Sequence, residues 1–209
     1  MSGSLLISDY VADWAISPFA AADGPPWAAT RDAERLIAAQ LAALGPAYRI
    51  EDGVAIHHSA TIEPGCVLKG PAIIGPRCFV AAGAYLRGGI YLAADCIVGP
   101  ACELKTSFMF PGSKVAHLSF VGDSILGAQV NIEAGAMIAN YRNELADKRI
   151  RILAEGVVID TGVDKFGALV GDDSRIGANA VVAPGALLQP GSRVRRLQLV
   201  DQYPARPDR

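Results

Sequence analysis

The segment AIIGPRCFVAAGAYLRGGIYLAADCIVG, residues 72–99, repeats an aliphatic side chain at every sixth position. The repeated residues within it are Ile74, Val80, Leu86, Leu92 and Val98. The same period begins at Ile56 and reaches Phe110, ten positions in a row, which a chain that is 51% apolar would show by chance about once in a thousand. It returns over residues 126–138 and 170–194, so it governs most of the chain.

A period of six fits neither an α-helix nor an ordinary alternating strand. It indicates a hexapeptide repeat, in which each short strand points one aliphatic side chain into a narrow core. We therefore predict an all-β fold, a single-stranded left-handed parallel β-helix. A short N-terminal α-helical cap and an inserted hairpin-like loop complete the prediction.

Small side chains occupy most positions four residues after an aliphatic anchor, as a tightly wound core requires. The bulky exceptions are Ile90 and Phe108. All four cysteines fall in this small position, and they are Cys66, Cys78, Cys96 and Cys102. Packing explains them, since the sequence lacks the CxxC pairs of zinc sites. Buried unpaired thiols fit a reducing compartment, so we expect a cytoplasmic protein.

The segments on either side of the repeat have a different character. Residues 1–50 are expected to form an irregular arm and an amphipathic helix at Trp27–Leu44, which would cover the open end of the solenoid. The β-helix then occupies residues 51–200. The tail, residues 201–209, is expected to be extended or poorly ordered.

The period fails over about residues 142–168, which predicts an insertion there. Within it, Arg149–Leu153 and Val157–Asp160 have the pattern of two short strands joined by Ala154-Glu155-Gly156. Insertions in repeat proteins often form loops at a binding face, so we expect this one to project from the coil.

The composition narrows the functional classes. A net charge of −2 and a pI of about 5.9 give no general attraction to nucleic acid. No apolar run approaches the length that spans a membrane. Residues 1–10 also lack the basic region of a signal peptide. We therefore expect neither nucleic acid nor membrane as a partner.

Three basic residues are spaced eighteen apart, the length of three hexads and hence of one coil. Lys69, Arg87 and Lys105 each follow an anchor leucine, so they should form a column with neighbours about 4.8 Å apart. Like charges at that distance repel unless solvent screens them or an anion lies between. The column is either a solvated basic stripe or an anion site where Arg87 and Lys105 clamp a phosphate.

The chain has three histidines. His57 and His58 belong to the first coil and are expected on the surface. His117 lies just before a change of register, because the anchors Val121 and Leu126 are five residues apart. An ionisable side chain beside such an irregularity is a candidate functional residue, and a structural role is the alternative.

Several motifs resemble one known family. They are Glu103-Leu104-Lys105, GSKVAHLSFVGD at residues 112–123, Val130-Asn131-Ile132-Glu133-Ala134-Gly135 and Asn140-Tyr141. Together they are similar to the C-terminal acetyltransferase domain of bifunctional UDP-N-acetylglucosamine pyrophosphorylase/glucosamine-1-phosphate acetyltransferases. Residues 160–168 are more similar to archaeal sugar-1-phosphate nucleotidylyltransferases with an amino-sugar acetyltransferase half.

The resemblance implies a role for each matching residue. His117 would be the general base that takes a proton from the C2 amine of glucosamine 1-phosphate as the amine attacks acetyl-CoA. Glu103 would orient the imidazole. The binding residues would be Arg87, Lys105, Phe120, Asn131, Asn140 and Lys148 for the sugar phosphate, and Ala134 and Ala178 for coenzyme A. Acetyl-CoA is the expected acyl donor, and no metal is required.

Five positions depart from the family pattern. Phe120 replaces a tyrosine whose hydroxyl would reach the substrate phosphate. Glu133 replaces a glycine and puts a carboxylate near a phosphate-rich cofactor. Arg142-Asn143 replaces Asp-Gly, and Ala178 replaces a common serine.

We therefore expect a coenzyme A-dependent N-acyltransferase, with acetyl transfer to glucosamine 1-phosphate as the simplest reaction. One alternative is transfer of a longer acyl group to a nucleotide-linked sugar. Another is a non-catalytic β-helix that serves as a regulatory or assembly subunit. A zinc carbonic anhydrase of this fold would need three converging histidines, whereas two of the three here are adjacent and far from the third.

The resemblance also implies partners. β-Helix prisms of this type associate side by side as homotrimers, and the similar enzymes place their active sites between subunits. No Gly-rich phosphate loop opens a Rossmann-like unit in this sequence, so a separate nucleotidyltransferase is an expected partner.

Overall fold

Parallel pairing of short strands winds residues 54–200 into a three-sided β-helix. In the computed structural model, which describes residues 5–154 and 156–203, strands pair with those one coil earlier and one coil later. The register joins Ile56 to Ile74 and Ile62 to Val80. These partners are eighteen residues apart, so three hexads make one coil. The predicted parallel β-helix is confirmed.

The elements follow one another closely along the chain. Short 3-10 turns lie at Ile7–Asp9, Ala12–Ile16 and Ala20–Ala22, followed by helices α1 Pro26–Arg31 and α2 Ala33–Leu41. The strands are β1 Tyr48–Glu51, β2 Val54–His57, β3 Thr61–Ile62, β4 Val67–Leu68, β5 Ala72–Ile74, β6 Phe79–Val80, β7 Tyr85–Leu92, β8 Ile97–Val98, β9 Glu103–Met109, β10 Lys114–Val115, β11 Phe120–Leu126, β12 Asn131–Ile132, β13 Met137–Ile138, β14 Arg151–Ala154, β15 Val157–Asp160, β16 Ala168–Val170, β17 Arg175–Ile176, β18 Val181–Val182, β19 Ala186–Leu188, β20 Arg193–Val194 and β21 Leu199–Val200.

The β-helix has three faces. The first contains β2, β5, the ends of β7, β9 and β11, then β16 and β19. The second contains β3, β6, β8, β10, β12, β17 and β20. The third contains β4, the beginnings of β7, β9 and β11, then β13, β18 and β21.

Two edges, at which adjacent faces of the β-helix meet, carry predicted site residues. The His117 edge joins the second face to the third and comprises residues 116–118, 133–135, 177–179 and 195–197. The Arg87 edge joins the third face to the first and comprises residues 87–88, 105–106 and 122–123.

One aliphatic side chain from each short strand fills the core of the solenoid. Six consecutive anchors are fully buried, and they are Ile74, Val80, Leu86, Leu92, Val98 and Leu104. The four cysteines are unpaired and lie beside them, three buried and Cys66 half-buried. The Cys78 thiol donates to the Ala93 carbonyl at 2.9 Å. Packing therefore accounts for the cysteines, as predicted.

The core corrects the predicted register in one coil. Leu92 pairs with Met109, which is fully buried in the solenoid core. Met109 is therefore the anchor, and the prediction that Phe110 fills this place is wrong. The step from Leu104 to Met109 is five residues, so the period shortens here as well as before Leu126.

This shorter step also explains the bulky exception at Phe108. Ser107 takes the small position, and its hydroxyl donates to the Lys105 carbonyl at 2.8 Å. Phe108 and Phe110 are instead buried outside the solenoid core, in a second apolar cluster formed with the N-terminal arm.

The Arg87 edge contains unusual backbone conformations. Thr106 and Asp123 adopt φ angles of 50° and 45°, while Gly88 and Gly89 make the corresponding bend of the preceding coil. A β-branched residue rarely has a positive φ, so Thr106 holds local strain. The strained residue directly follows Lys105.

The N-terminal arm and both helices cover the first face. The Trp14 ring lies 5.5 Å from that of Phe108 and 5.8 Å from that of Phe110, and α2 packs on β5, β7 and β9. The outward aromatic side chains make this face apolar, so the arm packs there. The expectation that the helix covers the open end is wrong, because β1 lies there, antiparallel to β2. The predicted helix Trp27–Leu44 is divided at Asp32 into α1 and α2.

The insertion contains the antiparallel hairpin β14–β15. Its base is buried through Ile152 and Phe166, which join the cluster formed with the arm, whereas Val157 near the turn is 61% exposed. Glu155 of the predicted turn and residues 204–209 of the predicted tail lie outside the described residues. None of the helices in the described part of the chain combines the length and apolar character that crossing a bilayer requires.

Gly89 holds the helices against the solenoid by close backbone approach. Its φ is +89°, and a Cβ added to it would lie 2.9 Å from the Glu34 nitrogen at the start of α2. Gly65 has a φ of +90° with nothing within 4 Å of its added Cβ, so it is a matched control for the backbone penalty alone.

We predict that Gly65→Ala lowers the free energy of unfolding by about 1 kcal/mol. Gly89→Ala should lower it by about 1–3 kcal/mol more, because α2 must move away from β7. Urea unfolding of both variants measures the difference. Equal losses would show that the contact between Gly89 and α2 contributes nothing to stability.

Candidate functional site

The predicted basic column exists at the Arg87 edge. Arg87 pairs in register with Lys105 on neighbouring strands β7 and β9. The Lys69 ammonium lies 5.1 Å and the Arg87 guanidinium 5.6 Å from the centre of the Tyr85 ring. The eighteen-residue spacing thus brings the three cations together.

Carboxylates neutralise two of these cations. Arg87 Nε donates to Glu103 at 2.8 Å, and Lys105 Nζ donates to both Asp123 oxygens at 2.9 and 2.8 Å. The Asn140 amide also donates to Asp123. The side chains of Lys105 and Asp123 are 17% and 8% exposed, against about a third for Arg87 and Glu103. The two ion pairs therefore differ mainly in burial.

A cleft of about 450 Å³ opens beside these ion pairs. It brings together four predicted residues, Arg87, Lys105, Phe120 and Asn140. The structure adds Tyr141, Asp164 and Lys165, of which the last two come from the insertion. A cleft with these cations and amide groups is suited to a phosphorylated polar ligand.

The predicted partner of His117 is engaged elsewhere. The Glu103 carboxylate binds Arg87, and the His117 imidazole has no hydrogen-bond partner within residues 5–154 and 156–203. The His117 side chain is exposed, and its backbone carbonyl accepts from Gly135 at 2.8 Å. A role of Glu103 in orienting His117 stays a prediction.

His117 shares its edge with both predicted coenzyme A contacts. Backbone hydrogen bonds run from Gly135 to His117, from Asn179 to Ala134 and from Leu197 to Ala178, at 2.8, 3.0 and 3.0 Å. His117, Ala134 and Ala178 therefore lie on successive coils of the His117 edge.

The Glu133 carboxylate is paired in the structure. Arg196 holds it through two hydrogen bonds of 2.8 and 2.7 Å, and the Ala178 amide donates to it at 2.8 Å. The Arg196 guanidinium is the main cause that keeps the pKa of Glu133 below its usual range, and Glu133 raises the pKa of Arg196 in turn. The departure from glycine thus does not leave an unpaired negative charge on this edge.

Two predicted substrate residues lie apart from the cleft. Asn131 is on the second face, between Lys114 and Arg175 in register. The Lys148 ammonium donates to the Asn143 carbonyl at 2.9 Å and lies 5.4 Å from the centre of the Tyr141 ring. Lys148 therefore reaches the cleft only through Tyr141.

The buried Arg142 fixes the start of the insertion. Its guanidinium binds Asp201 at 2.7 and 2.9 Å and the Tyr203 carbonyl at 3.1 Å, and its side chain is 4% exposed. Asp201 is the main cause that raises the pKa of Arg142. Because Arg142 directly follows Asn140 and Tyr141, this contact anchors the backbone that presents both to the cleft. The sequence marked Arg142 only as a departure from the family pattern.

The contact of Asp123 with Lys105 does not follow from the eighteen-residue spacing. Asp123 lies eighteen residues after Lys105, but this coil has seventeen residues and places Gly122 in register with Lys105. The spacing does not predict Asp164 and Lys165 either, since they lie in a segment without the period. Among the residues that the structure describes, no group of three or more His, Cys, Asp and Glu side chains is placed to hold a metal ion.

Comparison with known proteins finds one matching domain family and several curated relatives. The model of the GMPPB C-terminal domain matches residues 50–165. A bifunctional sugar-1-phosphate nucleotidylyltransferase/acetyltransferase of Sulfurisphaera tokodaii is 33% identical over 71% of this chain and 38% of its own length. The bifunctional protein GlmU of Heliobacterium modesticaldum is 36% identical over 73% of this chain and 33% of its own. The chain therefore spans only about a third of the length of these two relatives.

A solved structure also resembles the chain. It is the acetyltransferase domain of PglB from Neisseria gonorrhoeae in complex with acetyl coenzyme A. The sequence identity is 18%, the TM-score is 0.44, and the match covers 81% of this chain and 64% of that one.

The two ion pairs of the cleft should differ in their effect on stability. Asp123→Asn keeps a residue that tolerates the positive φ and removes only the charge, which leaves the half-buried Lys105 ammonium without its counter-charge. We expect the free energy of unfolding to fall by about 2–4 kcal/mol. Glu103→Gln, at a half-exposed pair, should cost less than about 1 kcal/mol.

Chemical unfolding of the two variants and the parent protein measures both values. A loss for Asp123→Asn no greater than that for Glu103→Gln would contradict the difference in burial between the two pairs.

Proposed function

The chain belongs to the family of the GMPPB C-terminal domain, and from that premise we propose that it transfers an acyl group from coenzyme A to the amine of a sugar with an anomeric phosphate. Glucosamine 1-phosphate is the simplest such acceptor, and acetyl-CoA the simplest donor. One observation carries this proposal. The third face separates the edge with the exposed His117 from the edge where Arg87 and Lys105 lie in register.

The His117 edge is the proposed site of the acyl donor. Ala134 and Ala178 have small side chains on consecutive coils, so an extended chain can lie close to the backbone there. Arg195 and Arg196 follow on the next coil of the same edge. Arg195 would supply positive charge for the cofactor phosphates, whereas Arg196 is paired with Glu133. The thioester would then lie at the other end, beside His117.

The Arg87 edge is the proposed site of the sugar phosphate. Arg87 and Lys105 would bind the phosphate together with Lys165, which has no ion-pair partner among the described residues. The sugar ring would cross the third face over Phe120, with its amine toward His117. Asn140, already oriented by Asp123, would bind a sugar hydroxyl.

His117 would act as the general base. The amine nitrogen attacks the thioester carbonyl while the imidazole accepts one amine proton. Collapse of the tetrahedral intermediate breaks the carbon–sulfur bond, and the imidazolium returns the proton to the departing thiolate. The products are the amide and free coenzyme A. This chemistry uses no metal.

Glu103 links the two edges in this scheme. Its carboxylate is about one third exposed and holds Arg87 in the free protein. A substrate phosphate on Arg87 would compete for the same guanidinium and release the carboxylate on the third face. Glu103 could then orient the imidazole, as the family resemblance implies.

Non-catalytic sugar-phosphate binding is the second candidate function. Phe120 lacks the hydroxyl that the family pattern would place at the phosphate, and the imidazole of His117 is unsupported in the free protein within the described residues. A regulatory or assembly subunit would keep the cleft without the reaction. The unpaired cysteines are consistent with the reducing cytoplasm in either case.

A homotrimer is also part of the proposal. Across the strands of the third face one row of residues is joined in register, and all but one of its members are apolar or aromatic. They are Val67, Tyr85, Glu103, Phe120, Met137, Val181 and Leu199, of which Glu103 is charged. The arm already covers the first face, so the second and third faces are available for side-by-side contacts. A neighbouring subunit on the third face would complete the wall of the site, and Asn131 on the second face could contribute across that interface.

We predict that His117→Ala lowers the rate of acyl transfer at least about 100-fold, because the amine loses its base. Thiol release from acetyl-CoA in the presence of glucosamine 1-phosphate measures the rate. His58→Ala is the matched control, since the His58 ring is on the surface, where its Nε2 contacts the Pro46 carbonyl at 2.8 Å. Equal rates for His117→Ala and the parent protein would favour the non-catalytic candidate.

We predict a trimer in sedimentation that Val181→Lys shifts toward the monomer, because a charge interrupts the apolar row. Ile16→Lys should leave the trimer intact, since Ile16 is 84% exposed on the arm. A parent protein that sediments as a monomer would contradict the proposed assembly.

A further inference from the structure

A second cavity of about 530 Å³ adjoins the cleft. Asp164 and Lys165 line both of them. The floors are also continuous, because Arg87 and Lys105 line the cleft while the residues that follow them, Gly88 and Thr106, line the second cavity. The two spaces therefore form one groove across the Arg87 edge.

We infer that the acceptor is an amino sugar whose anomeric phosphate is esterified, through a diphosphate, to a further polar group such as a nucleoside. This inference rests on the proposed function and specifies the acceptor of the same site. It is carried by the position of the second cavity and by the displaceable Arg31 in its lining.

The positions proposed for the amine and the anomeric phosphate determine where the group attached to that phosphate lies. His117 lies on one edge of the third face, and the cations that would bind the anomeric phosphate lie on the other. An acceptor with its amine at His117 therefore directs its phosphate away from the third face. Whatever is attached to that phosphate enters the second cavity, which a sugar monophosphate would leave empty.

The charges around the cleft disfavour a free phosphate monoester. Glu103 already neutralises Arg87, and Asp123 neutralises Lys105. A monoester concentrates nearly two negative charges on one phosphate, with Lys165 as the unpaired cation beside it in the described part of the chain. A diphosphate diester spreads the same charge over two phosphates, and the second of them reaches further basic groups.

Those basic groups line the second cavity. The lining contains the cations Arg31, Arg149 and Lys165 and the carboxylates Glu34, Asp123 and Asp164. Arg149 is held by Asp147 and Asp160, at 3.0 and 3.1 Å. Arg31 forms an ion pair with Asp32, and both side chains are partly exposed, so a phosphate can replace this contact at little cost. Among the described lining residues none is aromatic, so a nucleoside in this cavity would be held through its phosphate and hydroxyl groups and not by stacking of its base.

The N-terminal helices contribute one wall of this cavity. Thr30, Arg31 and Glu34 precede the region that matches the family model, which starts at residue 50. The packing of α2 on β7 at Gly89 brings this wall to the Arg87 edge. The proposed contact with the larger acceptor therefore uses residues outside the region that matches the family model.

The chain offers a matched pair of arginines for the test. Arg31 and Arg35 both bind the Asp32 carboxylate, at 3.0 and 2.9 Å, and both are mostly exposed. Arg31 lines the second cavity, and Arg35 does not. Their alanine variants thus remove the same kind of surface ion pair and differ only in their relation to the cavity.

Calorimetric titration of the full chain with glucosamine 1-phosphate and with UDP-glucosamine gives the two affinities without requiring acyl transfer. We expect the parent protein to bind UDP-glucosamine at least about tenfold more tightly. Arg31→Ala should reduce this preference about five- to tenfold, whereas Arg35→Ala should retain it.

The outcomes separate this inference from the proposed function. Equal affinities in the parent protein, or equal preferences in the two variants, would overturn the diphosphate-linked acceptor. If glucosamine 1-phosphate is then acylated in a His117-dependent reaction, the proposed function stands without it. Binding of neither compound would overturn both.

Discussion

The narrow core of the solenoid admits one aliphatic side chain from each short strand and a small side chain beside it. This restriction fixes the path of the backbone, because every coil must bring its anchors above those of the coil before. The stacking of the anchors also determines which surface side chains lie above one another. Arg87 stands over Lys105 because Leu86 stands over Leu104, and His117 stands over Ala134 because Val115 pairs with Ile132. The two edges of the site are thus consequences of core packing.

The same restriction explains why the site lies where the period shortens. A coil with seventeen residues must turn the Arg87 edge with one residue fewer, and Thr106 and Asp123 make these turns at positive φ. The turn at Asp123 puts its carboxylate next to Lys105 and Asn140 instead of leaving it in solvent. The irregular step also turns Phe108 outward, which gives the first face the apolar surface on which the arm packs.

Much of this could be predicted from the sequence, for reasons tied to the period. The fold, the packing role of the cysteines and the stacking of Arg87 on Lys105 all follow from residues counted in hexads. The anchor Met109 could not be distinguished from Phe110, because both are large and apolar and only the paired strands show which points inward. The helices were misplaced for a related reason. An apolar stripe on a helix predicts burial, yet it does not identify the surface that buries it. Lys165 lines the cleft because the insertion folds back toward it, and the spacing of the hexads does not predict the path of the insertion.

Electrostatics explains why the basic column carries its own carboxylates. Two unit charges about 4.8 Å apart repel by roughly 3 kcal/mol at an effective dielectric constant near 20, so a column of bare cations would oppose the packing that stacks it. Glu103 and Asp123 relieve this repulsion in the free protein. They are not equivalent, however. Asp123 is almost fully buried and binds Lys105 through both oxygens, so its removal by a ligand is costly. Glu103 is partly exposed and can yield Arg87 to an incoming phosphate at small cost. The column therefore contains one ion pair that a ligand would displace only at high cost, Lys105–Asp123, and one that a phosphate can displace, Arg87–Glu103. Glu103 of the displaceable pair lies on the third face, between the two edges.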